Sequence, residues 1–265
     1  MLNSINRAIG TYMKRPLFFM KSAFLFALFY LLTLFAVVGL FLIFFFAMTL
    51  LGMTKDIVPF VVAGAILFLI FLYLTSAFKG ALFRAFYLSA NGQKMGIRDF
   101  CSYALGNGST FFGIFIVSIF FVALLNAPIA AIYWFYLKDN MFQYGEIIIG
   151  VISLGLTFLA EFFAVPAMMG AAIYGTGVGR AFSFAGTFAK RTHIAGLLFF
   201  AVYAFVWLTS YPGLLYVSTL VPSAFLILFL FLFLVHFVAM FITYPIIATA
   251  FMLYVEKKVA MKGKN

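Results

Sequence analysis

Apolar residues run almost without interruption along this chain, and the few charged positions cut the run into lengths that fit a bilayer. Ser22 to Thr54 carries no charge and ends at Lys55 and Asp56. Ile57 to Phe78 follows, and its helical pattern continues past Lys79 and Arg84 toward Ser89. A third span begins near Thr110 and stops at Lys138 and Asp139; Ile147 to Tyr174 is a fourth, broken only by Glu161. From Thr192 to Val255 only His193 and His236 interrupt a stretch too long for one helix. It must reverse between Thr209 and Ser223, where Ser210, Tyr211, Pro212, Gly213 and Pro222 supply turn chemistry. A spanning helix needs about 20 apolar residues. The pattern therefore predicts an all-α integral membrane protein of six transmembrane helices in three hairpins, with no soluble domain.

A different pattern precedes each odd-numbered span. Leu2, Ile5, Ile9 and Met13 fall on one helical face, with Asn3, Arg7 and Lys14 opposite. Before the third span Ile97, Phe100, Cys101 and Ala104 oppose Arg98, Asp99 and Ser102; before the fifth, Val178, Phe182, Ala185 and Ala189 oppose Arg180, Ser183, Thr187 and Arg191. Arg7, Arg98 and Arg180 recur 91 and 82 residues apart. The chain reads as a single polytopic domain of three approximate units, 1–90, 91–174 and 175–265, each a basic amphipathic helix followed by a hairpin. Such helices lie in the cytoplasmic headgroup layer, held by their apolar faces and by about 1 kcal/mol per basic side chain from anionic lipid. Drift toward basic amphipathicity in any membrane-surface connection is the plainer alternative. The candidate anionic-lipid contacts are Arg7, Lys14, Arg15, Arg98, Arg180, Lys190 and Arg191.

Composition removes the soluble alternatives. Of 265 residues, 67% are hydrophobic and 9% charged, with a mean hydropathy of +1.20; an ordinary soluble domain has roughly 25% charged residues. The net charge of +11 would raise nucleic acid as a partner, but every basic cluster borders an apolar run. On the six-span reading 15 of the 17 basic residues lie on one side, with Lys55 and Lys138 on the other. That bias places both termini in the cytoplasm of a cell membrane and leaves no nucleic-acid partner. The first apolar run is too long for a signal peptide and reads as a retained helix. One cysteine, Cys101, and two histidines exclude a disulfide framework and make a metal centre improbable. No cofactor is expected.

Glu161 is the residue that bulk composition does not explain. An ionised carboxylate at mid-membrane costs about 2.5–3.5 kcal/mol, which invites a functional reading. Asn126 and His236 lie at similar expected depths, and the three together could bind a cation or relay a proton. The competing reading gives each an ordinary interhelical partner worth about 0.6 kcal/mol. Pro128, Pro166 and Pro245 should free the carbonyls of Leu124, Phe162 and Phe241. Broken helices beside polar groups occur at transporter centres, and also in membrane helices with no transport role. Ala167, Ala171, Gly175 and Gly179 form a small-residue stripe suited to close packing, and the glycine-rich Gly175 to Arg180 reads as a helix exit. Tyr133, Trp134, Tyr136, Trp207, Tyr211 and Tyr216 fit an interfacial aromatic belt.

No zinc-protease, hydrolase-elbow, phosphate-loop or paired-cysteine motif is present, so no catalytic residue is assigned. Ala8 through Lys14-Arg15-Pro16-Leu17-Phe18, Gly96-Ile97-Arg98-Asp99-Phe100 and Gly179-Arg180-Ala181-Phe182-Ser183 are patterns of residue type that resemble a broad prokaryotic group of uncharacterised six-span proteins. That group includes the membrane domain appended to some glycerophosphoryl diester phosphodiesterases. The resemblance implies an archaeal or bacterial membrane protein without assigned enzyme activity. No phosphodiesterase residue carries over, because the soluble catalytic domain has no counterpart in this sequence. The expected role is a non-enzymatic, lipid-interacting scaffold or accessory subunit. The alternative is a secondary transporter or channel built on Glu161, Asn126 and His236.

Overall fold

A computed structural model describes residues 1–50, 57–133, 145–192, 194–210 and 238–260. These are helical almost throughout: α1 (Leu2–Lys14), α2 (Pro16–Leu50), α3 (Val58–Ala90), α4 (Ile97–Ile132), α5 (Gly145–Tyr174), α6 (Val178–Arg191), α7 (Ile194–Ser210), and a π-helical turn (Ala239–Thr243) leading into α8 (Tyr244–Ala260). Five helices are long and apolar enough to cross a membrane: Pro16–Leu50, Val58–Ala90, Ile97–Ile132, Gly155–Tyr174 and Ala239–Ala260. The expected reversal after Ser210, His193, His236, Lys55, Lys138, Lys262 and Lys264 lie outside the described residues, as do the belt residues Trp134, Tyr136, Tyr211 and Tyr216.

Local chemistry explains where these helices stop. Pro16 cannot donate to the preceding turn and disfavours helical geometry at Arg15, so α1 ends there and α2 starts with proline at its first position. Gly175 takes φ +63° and its N–H bonds to the Ala171 carbonyl at 2.8 Å, closing α5. Between 97 and 132 no glycine takes the left-handed φ of Gly175, and the helix continues. The expected surface helix at 97–104 is therefore not a separate element; it is the first part of α4. Gly106 and Gly108 are tolerated within that helix, whose start is fixed by the Asp99 carboxylate accepting from the Gly96 N–H at 3.2 Å.

The buried core gathers toward one end. It takes in Phe19 to Phe26 of α2, Ser76 to Ala90 of α3, Phe100 to Ile114 of α4, Ala160 to Ile173 of α5, and much of α6, α7 and α8. Aromatic rings dominate it. Phe29 stacks on Phe78 at 4.6 Å, and Phe251 meets Phe188, Phe199, Phe200 and Tyr203. Beyond this core α2, α3 and α4 extend with large apolar side chains outward, among them Phe35, Ile43, Val61 and Phe120, each at least 60% exposed. A surface of that kind belongs in hydrocarbon. At about 1.5 Å per residue these helices also exceed the roughly 30 Å hydrocarbon core, so a full bilayer fits along them.

Neighbouring helices do not all run side by side. Phe86 packs on Tyr244 at 6.0 Å, while the adjacent Tyr87 reaches Glu256, whose Oε1 accepts from its hydroxyl at 2.9 Å. Tyr244 and Glu256 are twelve residues apart, about 18 Å of helix. α8 therefore lies steeply across α3.

One of the two separate amphipathic helices keeps an apolar stripe outward, and the other does not. α1 packs on α8 through Ser4, Ala8 and Tyr12. The stripe of Leu2, Ile9 and Met13 lies alongside that contact and points outward, with Leu2 and Met13 at 70% and 72% exposure. α6 turns its apolar face onto the protein instead: Ala181, Ala185 and Phe188 are buried, with Val178, Phe182 and Ala189 packed on the core.

Candidate functional site

Glu161 and Asn126 sit on the same helix pair but in different contacts. The Glu161 carboxylate accepts from the Ser118 hydroxyl at 3.4 Å. The Asn126 amide donates to the Val122 carbonyl at 2.8 Å, and its oxygen accepts from the Ser153 hydroxyl. Ser118 to Asn126 is eight residues along α4, and Glu161 to Ser153 is eight residues back along α5, which is the register of an antiparallel pair. The two contacts are thus about 12 Å apart. The structure does not bring Glu161 and Asn126 into one site; it gives each an interhelical partner. His236, the third member of the expected cluster, is outside the described residues.

The charge of Glu161 acts on Lys79 of α3. Lys79 lies inside α3, about 16 Å of helix before its end at Ala90. The helical pattern that continues past Lys79 toward Ser89 is the one the structure shows. Arg84 is also internal. Its guanidinium donates to the Ala172 and Ile173 carbonyls at 3.1 and 2.9 Å and stands 5.7 Å from the Tyr103 ring, capping the C-terminus of α5.

α4 and α5 run on through Pro128 and Pro166, each of which still withholds the N–H that the Leu124 or Phe162 carbonyl would accept. Pro245 has the predicted consequence as well. It removes the donor four residues after Phe241, the backbone there is the π-helical turn, and the Phe241 carbonyl accepts from the Tyr12 hydroxyl at 3.0 Å. A surface helix thereby latches onto an irregular turn. Burial raises the Tyr12 phenol above its ordinary value. The folded state then holds the proton more tightly than the unfolded chain, which titrates near pH 10. Stability carried by this contact is complete below about pH 10 and falls as pH rises toward the folded value. Thermal unfolding in detergent between pH 8 and 11 should show wild type losing Tm faster above pH 10 than Tyr12→Phe. Parallel curves would remove the latch.

The stripe of four small residues is also divided. Ala167 and Ala171 are buried, Gly175 ends the helix, and Gly179 is exposed in α6 with open space around it. Close approach occurs at other glycines: the Phe111 ring lies against Gly80, Tyr73 against Gly108, Val178 against Gly113 and Phe184 against Gly170.

The basic residues occupy the end where the core is densest. Arg7 donates to the Asn91 side chain at 3.2 Å, Arg15 rests against Gly92, and Lys94 stands 5.2 Å from the Phe18 ring. Lys14, Arg98, Arg180 and Lys190 are exposed. Arg191 is engaged otherwise than expected, donating to the Lys258 and Val259 carbonyls at 3.2 and 3.4 Å and capping α8. Among the described residues no three His, Cys, Asp or Glu side chains group as metal ligands.

The chain matches no protein-family model, no curated protein and no solved structure.

Proposed function

We propose that this chain is a six-span protein of a prokaryotic cell membrane, with both termini cytoplasmic, that acts without catalysis as a lipid-interacting scaffold or accessory subunit. The observation that carries this reading is the α1 surface. Its outward stripe of Leu2, Ile9 and Met13 is backed, across the helix, by exposed Arg7 and Lys14, and Arg98, Arg180 and Lys190 are exposed as well. An apolar face with cations on the opposite side of the helix matches a headgroup layer with hydrocarbon on one side and water on the other. Arg191 and Arg84 contribute differently, since helix carbonyls engage them.

The transporter reading loses its centre when Glu161 and Asn126 fall in separate contacts. Packing specificity accounts for both side chains.

Lipid retained by the detergent-purified protein tests the proposal. Each exposed cation is worth about 1 kcal/mol toward an anionic surface, roughly fivefold in retention. Arg98→Gln with Arg180→Gln should therefore lower retention of phosphatidylglycerol by about twentyfold relative to phosphatidylcholine. Unchanged retention sinks the lipid-interacting role. A proton- or ion-driven flux in proteoliposomes that Glu161→Gln abolishes would favour transport instead.

A further inference from the structure

A polar cleft of about 380 Å³ opens between α1 and α8, walled by Asn3, Ser4, Arg7, Leu253, Glu256 and Lys257. Its charges form an uncommon set. Arg7 and Lys257 are exposed cations, and Glu256 is a half-buried carboxylate. Arg7 uses one N–H on Asn91, and its guanidinium has others to offer. Glu256 accepts from Tyr87 at Oε1, which holds the carboxylate in place while its second oxygen can accept again. The carbonyl end of α8 would repel an anion, but the Arg191 guanidinium sits on the Lys258 and Val259 carbonyls there.

Two cations beside one carboxylate suit a ligand that carries both signs. A purely anionic headgroup would meet the charge of Glu256. A choline headgroup would bring a quaternary nitrogen with no N–H to donate. A phosphodiester joined to a primary ammonium satisfies all three side chains, with charge-assisted hydrogen bonds at both ends.

We propose that this cleft binds the phosphoethanolamine headgroup of a membrane lipid, with Arg7 and Lys257 on the phosphate and Glu256 on the ammonium. The assignment rests on the reading that α1 lies in the headgroup layer. It adds selectivity that the general basic surface lacks.

Full-length protein in detergent is incubated with equal phosphatidylethanolamine, phosphatidylcholine and phosphatidylglycerol, and bound lipid is counted by native mass spectrometry. Wild type should hold phosphatidylethanolamine over phosphatidylcholine by about tenfold or more. Arg7→Gln with Lys257→Gln should reduce that binding by about tenfold. Glu256→Gln, which can still accept from Tyr87, should erase the preference for ethanolamine over choline. Equal retention of the two lipids by wild type overturns the cleft assignment without needing any variant to fold. If phosphatidylglycerol retention still falls on neutralising Arg98 and Arg180, the wider lipid reading stands; if it does not, both fail. Free phosphoethanolamine or inorganic phosphate protecting against thermal unfolding as well as the lipid would overturn the membrane source of the ligand.

Discussion

Replacing Glu161 with leucine is expected to cost about 3 kcal/mol of stability, and adding Lys79→Met should recover most of it. Two contacts compete to explain the role of Glu161, and their magnitudes separate them. The Ser118 hydrogen bond is long at 3.4 Å, and interhelical bonds of this kind average about 0.6 kcal/mol. Lys79 on α3 is the cation whose charge reaches Glu161, and if the two act as a pair their contribution is the larger. Removing one member of a buried pair costs about 3–5 kcal/mol, because the other charge stays in a low-dielectric setting. Glu161 is only half-buried, which argues for the lower end. Ser118→Ala should therefore cost about 0.6 kcal/mol. Glu161→Gln, which keeps an acceptor for Ser118 but loses the charge, should fall near Glu161→Leu. Reversible unfolding in mixed micelles gives all four values. A Glu161→Gln protein as stable as Ser118→Ala would show that the charge pair contributes nothing.

What could be read in advance follows from how local each signal is. Helix ends at Arg15-Pro16 and Gly175 depend on one or two residues, and the sequence displays those residues. The consequence of Pro245 was legible for the same reason, as a missing N–H four positions after Phe241. Tyr12 as the group that answers it could not be read, because 229 residues separate the partners. The failures share this non-local character. The place of Lys79 inside a helix could be read from the pattern that continues past it, but its nearness to Glu161 could not, since that depends on the packing of α3 against α5. Arg191 looked like a lipid contact, since nothing near it in the chain points to the carbonyls of α8. Asn126 and Glu161 seemed to share a depth; the register of α4 on α5 resolved them into two contacts. The surface helix expected at 97–104 failed in another way. Its amphipathic pattern was read as a separate element, but Gly106 and Gly108, which could have ended it, keep negative φ within one continuous helix.

Glycine-to-alanine changes at two helical positions should have opposite signs. Alanine is the better helix former by about 1 kcal/mol. At Gly106, where nothing lies within 4 Å of the added carbon, that preference is unopposed. At Gly80 the same carbon would land on the Phe111 ring, against its body and not its tip. Phe111 is 1% exposed and cannot swing into open space. It is in contact with Tyr103 at 6.2 Å; Tyr103 supports Arg84, and Arg84 holds the carbonyl end of α5. Displacing one ring therefore disturbs the junction of α3, α4 and α5. Overpacking of this kind costs about 1–3 kcal/mol, and a rigid neighbour points to the upper part of that range. Gly80→Ala should thus lower the unfolding free energy by about 2 kcal/mol net, while Gly106→Ala raises it by up to about 1 kcal/mol. Phe111→Leu should be less harmful in the Gly80→Ala background than in wild type, because the smaller side chain relieves the contact that alanine creates. If Gly80→Ala and Gly106→Ala unfold at the same temperature, α3 and α4 do not approach through Gly80, and the route from Phe111 to the α5 cap is lost with that approach.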